Sequence, residues 1–192
     1  MNDTDFLKNI ILMKVGYQTG ETLSQIVARK SQEELDTGSI FWGYGGKVCH
    51  PLKQIRPFAT EIEKAGGRLS LVMIETSSKF DSWRKPALEY SIDNRHIEWQ
   101  PIPKGISVTG SEFAIVCKNL QRVSELHLDL SIYNVGIGQR RNTPLEDYFK
   151  GRTDKACASR NNPSELMRTN TRPPIKIAYI ADIIEPYAVM LR

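Results

Sequence analysis

Apolar residues follow two rhythms along this chain. Unbroken runs at "NIILMKVGY" (9 to 17), "RLSLVMIET" (68 to 76), "SEFAIVCKNL" (111 to 120) and "IKIAYIADII" (175 to 184) read as strands buried on both faces. "ELHLDLSIYNVGI" (125 to 137) alternates, with Leu126, Leu128, Leu130 and Ile132 on one face, and predicts a single half-buried strand. "LEYSI" and "HIEWQPI" around Asp93-Asn94 predict a hairpin across residues 88 to 102.

A helical rhythm appears three times. Leu23, Ile26 and Val27 follow Thr22, and Gln25 completes a capping box with it, so a helix is expected from Thr22 to Leu35, stopped by "TGS". Pro51 opens a second helix with one stripe of Leu52, Ile55, Phe58, Ala59 and Ile62, ending at Gly66-Gly67 and expected to kink or split at Pro57. A third is expected from Thr143 as N-cap, with Pro144 in the first position, Glu146 completing a capping box, and Gly151 ending or bending it. Strand, helix, strand at the start fits a parallel pairing, and the middle reads as an antiparallel meander. The expected fold is α+β: one domain over residues 1 to 192, with a mixed, largely antiparallel sheet, open or curled, and about three helices against it.

Composition narrows the class. The chain has 192 residues, 40% of them hydrophobic, enough for a sizeable core. Its apolar runs are too short to span a bilayer, so no membrane partner is expected. Cys49, Cys117 and Cys157 are far apart and odd in number, which suits reduced thiols and a cytoplasmic location. The net charge of +4 is unevenly spread: residues 150 to 176 hold Lys150, Arg152, Lys155, Arg160, Arg168, Arg172 and Lys176 against Asp154 and Glu165. Such a basic loop suits an anionic partner or, equally, a solvated face.

The richest pattern occurs twice. In "FWGYGGKVCHP" and "YNVGIGQRRNTP" a strand passes through glycines and basic residues into a segment opened by proline. Each arrangement would aim free N–H groups and positive side chains at an anion near a helix N-terminus. Neither has the spacing of a P-loop or of G-x-G-x-x-G. Trp42 or Tyr44 would stack on a base or ribose, and Gly45, Gly46, Lys47 and His50 would meet one anionic group. Arg140, Arg141 and Asn142 would meet another. Ser78 and Lys79 follow a buried strand and could hold a phosphate or ribose, while Arg152 and Lys155 would share a helix face and close over the ligand. The alternatives are glycines serving turns, aromatics serving the core and solvated cations.

Catalytic and metal constellations are not evident. Cys49 and His50 are adjacent and point apart in extended chain, and His50, His96 and His127 lack ligand spacing, so no catalytic residue, metal or cofactor is assigned. The sequence therefore points to a binding protein for a small phosphorylated ligand, a nucleotide or nucleotide-derived signal, acting by capture rather than turnover. Two other classes stay open: a nucleic-acid binder reading a single strand or a flipped or modified base, and a nucleotide- or phosphoester-processing enzyme using Cys49 or His50.

Overall fold

A computed structural model describes residues 7–18, 20–45, 51–80, 85–93, 95–151, 153–161 and 172–192. In chain order the elements are β1 (Asn9–Gln18), α1 (Leu23–Thr37), β2 (Ile40–Gly43), α2 (Pro51–Lys64), β3 (Leu69–Phe80), β4 (Glu89–Ser91), β5 (Gln100–Pro101) and β6 (Phe113–Arg122). They continue with β7 (His127–Leu128), β8 (Tyr133–Val135), α3 (Leu145–Tyr148), β9 (Lys155–Arg160), β10 (Ile175–Lys176) and β11 (Tyr179–Leu191). The fold is α+β, with three helices packed on an open mixed sheet ordered β2-β6-β11-β3-β1-β9-β8. β4 joins the sheet through β11 and carries β5, while β7 and β10 form a separate ribbon. Among the described residues only β1 and β3 pair in parallel, Asn9 opposite Leu69, and the connection between them contains α1, β2 and α2.

The unbroken apolar run of β1 exists because both sheet faces are covered. Ile11, Met13 and Val15 face the layer of α1 and α2, whose Ile26, Ile55, Phe58 and Ile62 complete that core. Ile10 and Leu12 face the opposite layer, where Leu145 and Phe149 beside α3 and Leu128 of the ribbon close over them. Farther along that second face, Phe41, Val116 and Val189 pack with Ile106 and Val108.

Both long helices form where their caps place them. Gln25 N–H donates to Thr22 Oγ1 at 3.3 Å and Thr22 N–H to Gln25 Oε1 at 2.8 Å; Gly38, at φ 78°, ends the helix by donating to the Glu34 carbonyl. α2 is not split at Pro57. The proline lies on the exposed side, and the carbonyl it leaves without a donor, four residues back, belongs to exposed Lys53, where water can meet it.

Four expectations are corrected. Residues 125 to 137 are not one strand: the Asp129 carboxylate accepts from Ser131 N–H at 2.9 Å and from its hydroxyl at 2.7 Å, fixing a 3₁₀ turn over Leu130–Ile132 between β7 and β8. Thr143 does not cap the third helix; its hydroxyl donates to the Arg140 carbonyl at 2.7 Å, and only Leu145–Tyr148 is helical. Lys155 is not on a helix continuing past Gly151. It opens β9, a strand that the sequence pattern does not predict, while Arg152 lies outside the described residues. The run at 175 to 184 is not one strand: Ile175–Lys176 is β10 of the separate ribbon, and β11 starts at Tyr179 and runs on to Leu191, its ladder to β6 interrupted between Ile183 and Ala188. Among the described residues no helix is long and apolar enough to cross a membrane.

Candidate functional site

Among the concavities of the helix-covered face, two mark the ends of β1. The wider is a cleft of about 830 Å³ at the amino end, between α2 and the edge formed by β8 and β9. Strand register builds it. Asn9 stands opposite Leu69 on one side and Ser159 on the other, so the neighbours of those residues, Lys8, Arg68 and Arg160, are brought to the same edge of three adjacent strands. Arg141 reaches the cleft from the loop after β8, with Asn142 beside it.

Charge in this cleft is one-sided. Among the described residues Glu61 is the single carboxylate of its lining, and it meets Arg141 at 3.4 Å, a pair so exposed that it neutralises little. Lys8 and Arg68 have no ion-pair or hydrogen-bonding side-chain partner among the described residues. Asn161, only 9% exposed, also lines the cleft; its backbone N–H donates to the Ile132 carbonyl, while its side-chain amide has no partner among the described residues. A buried amide left unpaired costs about 1–3 kcal/mol, which a ligand contact would recover. The carboxyl end of α2 also borders the cleft and opposes an anion by about 0.3–1 kcal/mol, less than a cluster of cations supplies. Gly66 and Gly67 moreover turn their N–H groups onto the Glu63 and Ile62 carbonyls there.

The second concavity, about 360 Å³, lies at the carboxyl end of β1, between the start of α1, the Gly43–Gly45 stretch and the 107 to 111 loop. Positions beyond the carboxyl ends of parallel strands are where open α/β sheets commonly bind ligands. Met13, Val15, Ile26 and Trp42 give it an apolar floor. Its charges are matched. Arg29 holds Glu21 with two hydrogen bonds, 3.1 and 2.8 Å, and that contact keeps the Glu21 carboxyl below its ordinary range. Lys155 donates to Asp154 at 3.2 Å and to the Gly45 carbonyl at 3.0 Å, its ammonium 5.0 Å from the centre of the Tyr44 ring. At the back wall buried Lys30 is paired with buried Glu33.

The residues singled out in sequence divide between these places. Trp42, Gly45 and Lys155 converge on the carboxyl-end cavity, and Arg141 and Asn142 on the amino-end cleft. The two glycine loops therefore do not share one cavity among the described residues; Met13 and Asn9, which mark the two ends, are four residues apart, roughly 13 Å along a strand. Trp42 and Tyr44 are 4% and 1% exposed within the main core, so neither ring offers an open face for stacking. Ser78 and Lys79 end β3 on the surface, Lys79 over the Tyr17 ring, and line neither cavity. Arg140 is exposed beside the cleft. Gly136 serves packing rather than anion approach, since a Cβ there would stand 2.6 Å from the Phe58 ring. Gly46, Lys47, Cys49, His50 and Arg152 lie outside the described residues.

Sequence reading missed Lys8, Arg68 and Asn161, and placed Arg160 only within the basic 150 to 176 segment, because these residues are scattered along the chain; strand register is what assembles them. Cys117 and Cys157 are buried, and burial pushes the Cys117 thiol well above its ordinary range, away from nucleophilic use. Comparison of the chain with family models, curated proteins and solved structures finds no match.

Proposed function

We propose that this chain binds a small phosphorylated molecule, a nucleotide or nucleotide-derived signal by class, in the cleft at the amino end of β1, and acts by capture rather than turnover. One observation carries the reading: Lys8 and Arg68, without partners among the described residues, stand beside a buried Asn161 amide that also has none. Arginine takes a phosphate through two parallel hydrogen bonds and lysine through its point charge, and the asparagine amide adds a neutral donor. Among the described lining residues the one aromatic, Phe58, is buried under the floor. A single nucleic-acid strand is held in large part by stacking on open aromatic faces, so a small ligand fits this cleft better.

Mass spectrometry of the denatured, freshly purified protein tests the reading for a copurified nucleotide. Calorimetric titration with inorganic phosphate, AMP and ADP supplies the direct measurement. The expected result is stoichiometric binding that weakens with salt, with the ligand recovered unchanged after prolonged incubation. Failure of every phosphorylated probe to bind overturns the proposal, and conversion of the ligand during incubation overturns capture in favour of catalysis.

A further inference from the structure

We infer that the cavity at the carboxyl end of β1 is a separate binding site for an uncharged, nucleobase-like ring. Its volume of about 360 Å³ lies near the lower end of small-molecule sites, roughly 300–1,000 Å³, so the occupant is compact. Met13, Val15 and Ile26 give such a ring an apolar surface to lie on.

Charge pairing among the described residues disfavours an ion. Arg29 is tied to Glu21, Lys155 to Asp154 and Lys30 to Glu33, so each of these three lining cations already has its carboxylate. The Lys14 ammonium is turned away, over the Phe149 ring on the opposite face, with the Thr153 carbonyl at 2.7 Å. A phosphate entering here would have to displace a carboxylate and leave it unpaired, whereas an uncharged ring disturbs nothing.

The second observation is an orphan donor. Trp42 is 4% exposed and lines the cavity, yet its indole N–H has no acceptor among the described residues. Buried indole N–H groups normally find one. A ring carbonyl or ring nitrogen of a nucleobase supplies that acceptor, and Thr109 and Ser111 at the rim bring hydroxyls for its remaining edge. The two concavities thus differ in chemistry: the amino-end cleft selects charge, and this cavity selects shape and a hydrogen-bond acceptor.

The inference is independent of the proposal for the cleft, and the full chain tests both together. Adenine and uracil serve as uncharged probes, with inorganic phosphate as the charged control. Gly45→Phe blocks the cavity at little backbone cost, because a Cβ on Gly45 meets nothing within 4 Å among the described residues and its φ is ordinary. Trp42→Phe keeps the ring and removes the donor. Adenine or uracil should bind the parent protein with little salt dependence, bind Trp42→Phe about tenfold more weakly, fail to saturate Gly45→Phe, and bind Arg68→Ala unchanged. Phosphate binding should survive in both cavity variants, which also reports that they fold. The inference is overturned if neither base binds, if both variants bind them as the parent does, or if Arg68→Ala abolishes their binding.

Discussion

Lys30 Nζ lies 2.9 and 2.8 Å from the two carboxylate oxygens of Glu33, both residues being buried. The remaining capacity of the pair is spent on the backbone: Lys30 donates to the Phe41 and Ser107 carbonyls, and Glu33 accepts from the N–H groups of the same two residues. α1 is thereby fastened to β2 and to the 107 to 111 loop.

Breaking this pair from one side should be costly. Glu33→Ala leaves a buried ammonium without its counter-charge and should lose about 3–5 kcal/mol in urea unfolding. Burial, the largest influence, already holds the Lys30 ammonium below its ordinary pKa, so the lone charge is poorly tolerated. Lys30→Met combined with Glu33→Leu should lose less than Glu33→Ala alone, and a double variant worse than the single would refute this account.

Arg68 is exposed, so Arg68→Ala should leave unfolding unchanged within about 0.5 kcal/mol. Its affinity for inorganic phosphate should fall about three- to tenfold, as expected for the loss of a charge-assisted hydrogen bond in a partly solvated site. Calorimetry with the parent and the variant at two ionic strengths checks both the loss and its salt dependence.

The glycines of the two loops should respond differently to alanine. Gly136→Ala drives a methyl group against the buried Phe58 ring and should cost about 1–3 kcal/mol, partly restored by Phe58→Leu. Gly45→Ala meets nothing within 4 Å among the described residues and should be neutral within about 0.5 kcal/mol. Thermal unfolding of the three variants decides it.

Alkaline pH should expose Tyr133. Its hydroxyl donates to the Leu7 carbonyl at 2.7 Å, and burial pushes its pKa up from 10.0 to about 12. A raised pKa means that the folded state keeps a proton the unfolded chain has released. The stabilisation is thus complete below pH 10.0 and is lost as pH rises toward about 12. Tyr133→Phe should be less stable at neutral pH by about 1 kcal/mol and should show a shallower decline across that window in denaturant titrations.

Parts of the fold were legible where local chemistry and tertiary context agree. β1 and β3 are covered on both faces and so carry unbroken apolar runs, and α1 and α2 carry a capping box and a single buried stripe. β9 was not legible, because "KACASR" offers only Ala156, Cys157 and Ala158 between charged ends, and its burial comes from its neighbours β1 and β8. The third helix is only Leu145–Tyr148: Pro144 rather than Thr143 stands at its N-cap, and no side chain caps it. For the sites, Trp42, Gly45, Lys155, Arg141 and Asn142 were recognisable as residue types in unusual loops. The sequence carried no sign that they divide between two cavities, nor that Lys8, Arg68 and Arg160 align, since both follow from pairing between distant strands.

β11 fills the slot between β3 and β6, pairing Ala181 with Leu71 and Ile183 with Cys117. Until that segment leaves the ribosome, two apolar strands keep bare hydrogen-bonding edges, each a template for a neighbouring nascent chain. Synthesis of this protein therefore has an aggregation-prone interval that closes only when β11 is in place, and slowing translation just before Tyr179 should lengthen that interval and lower the soluble yield.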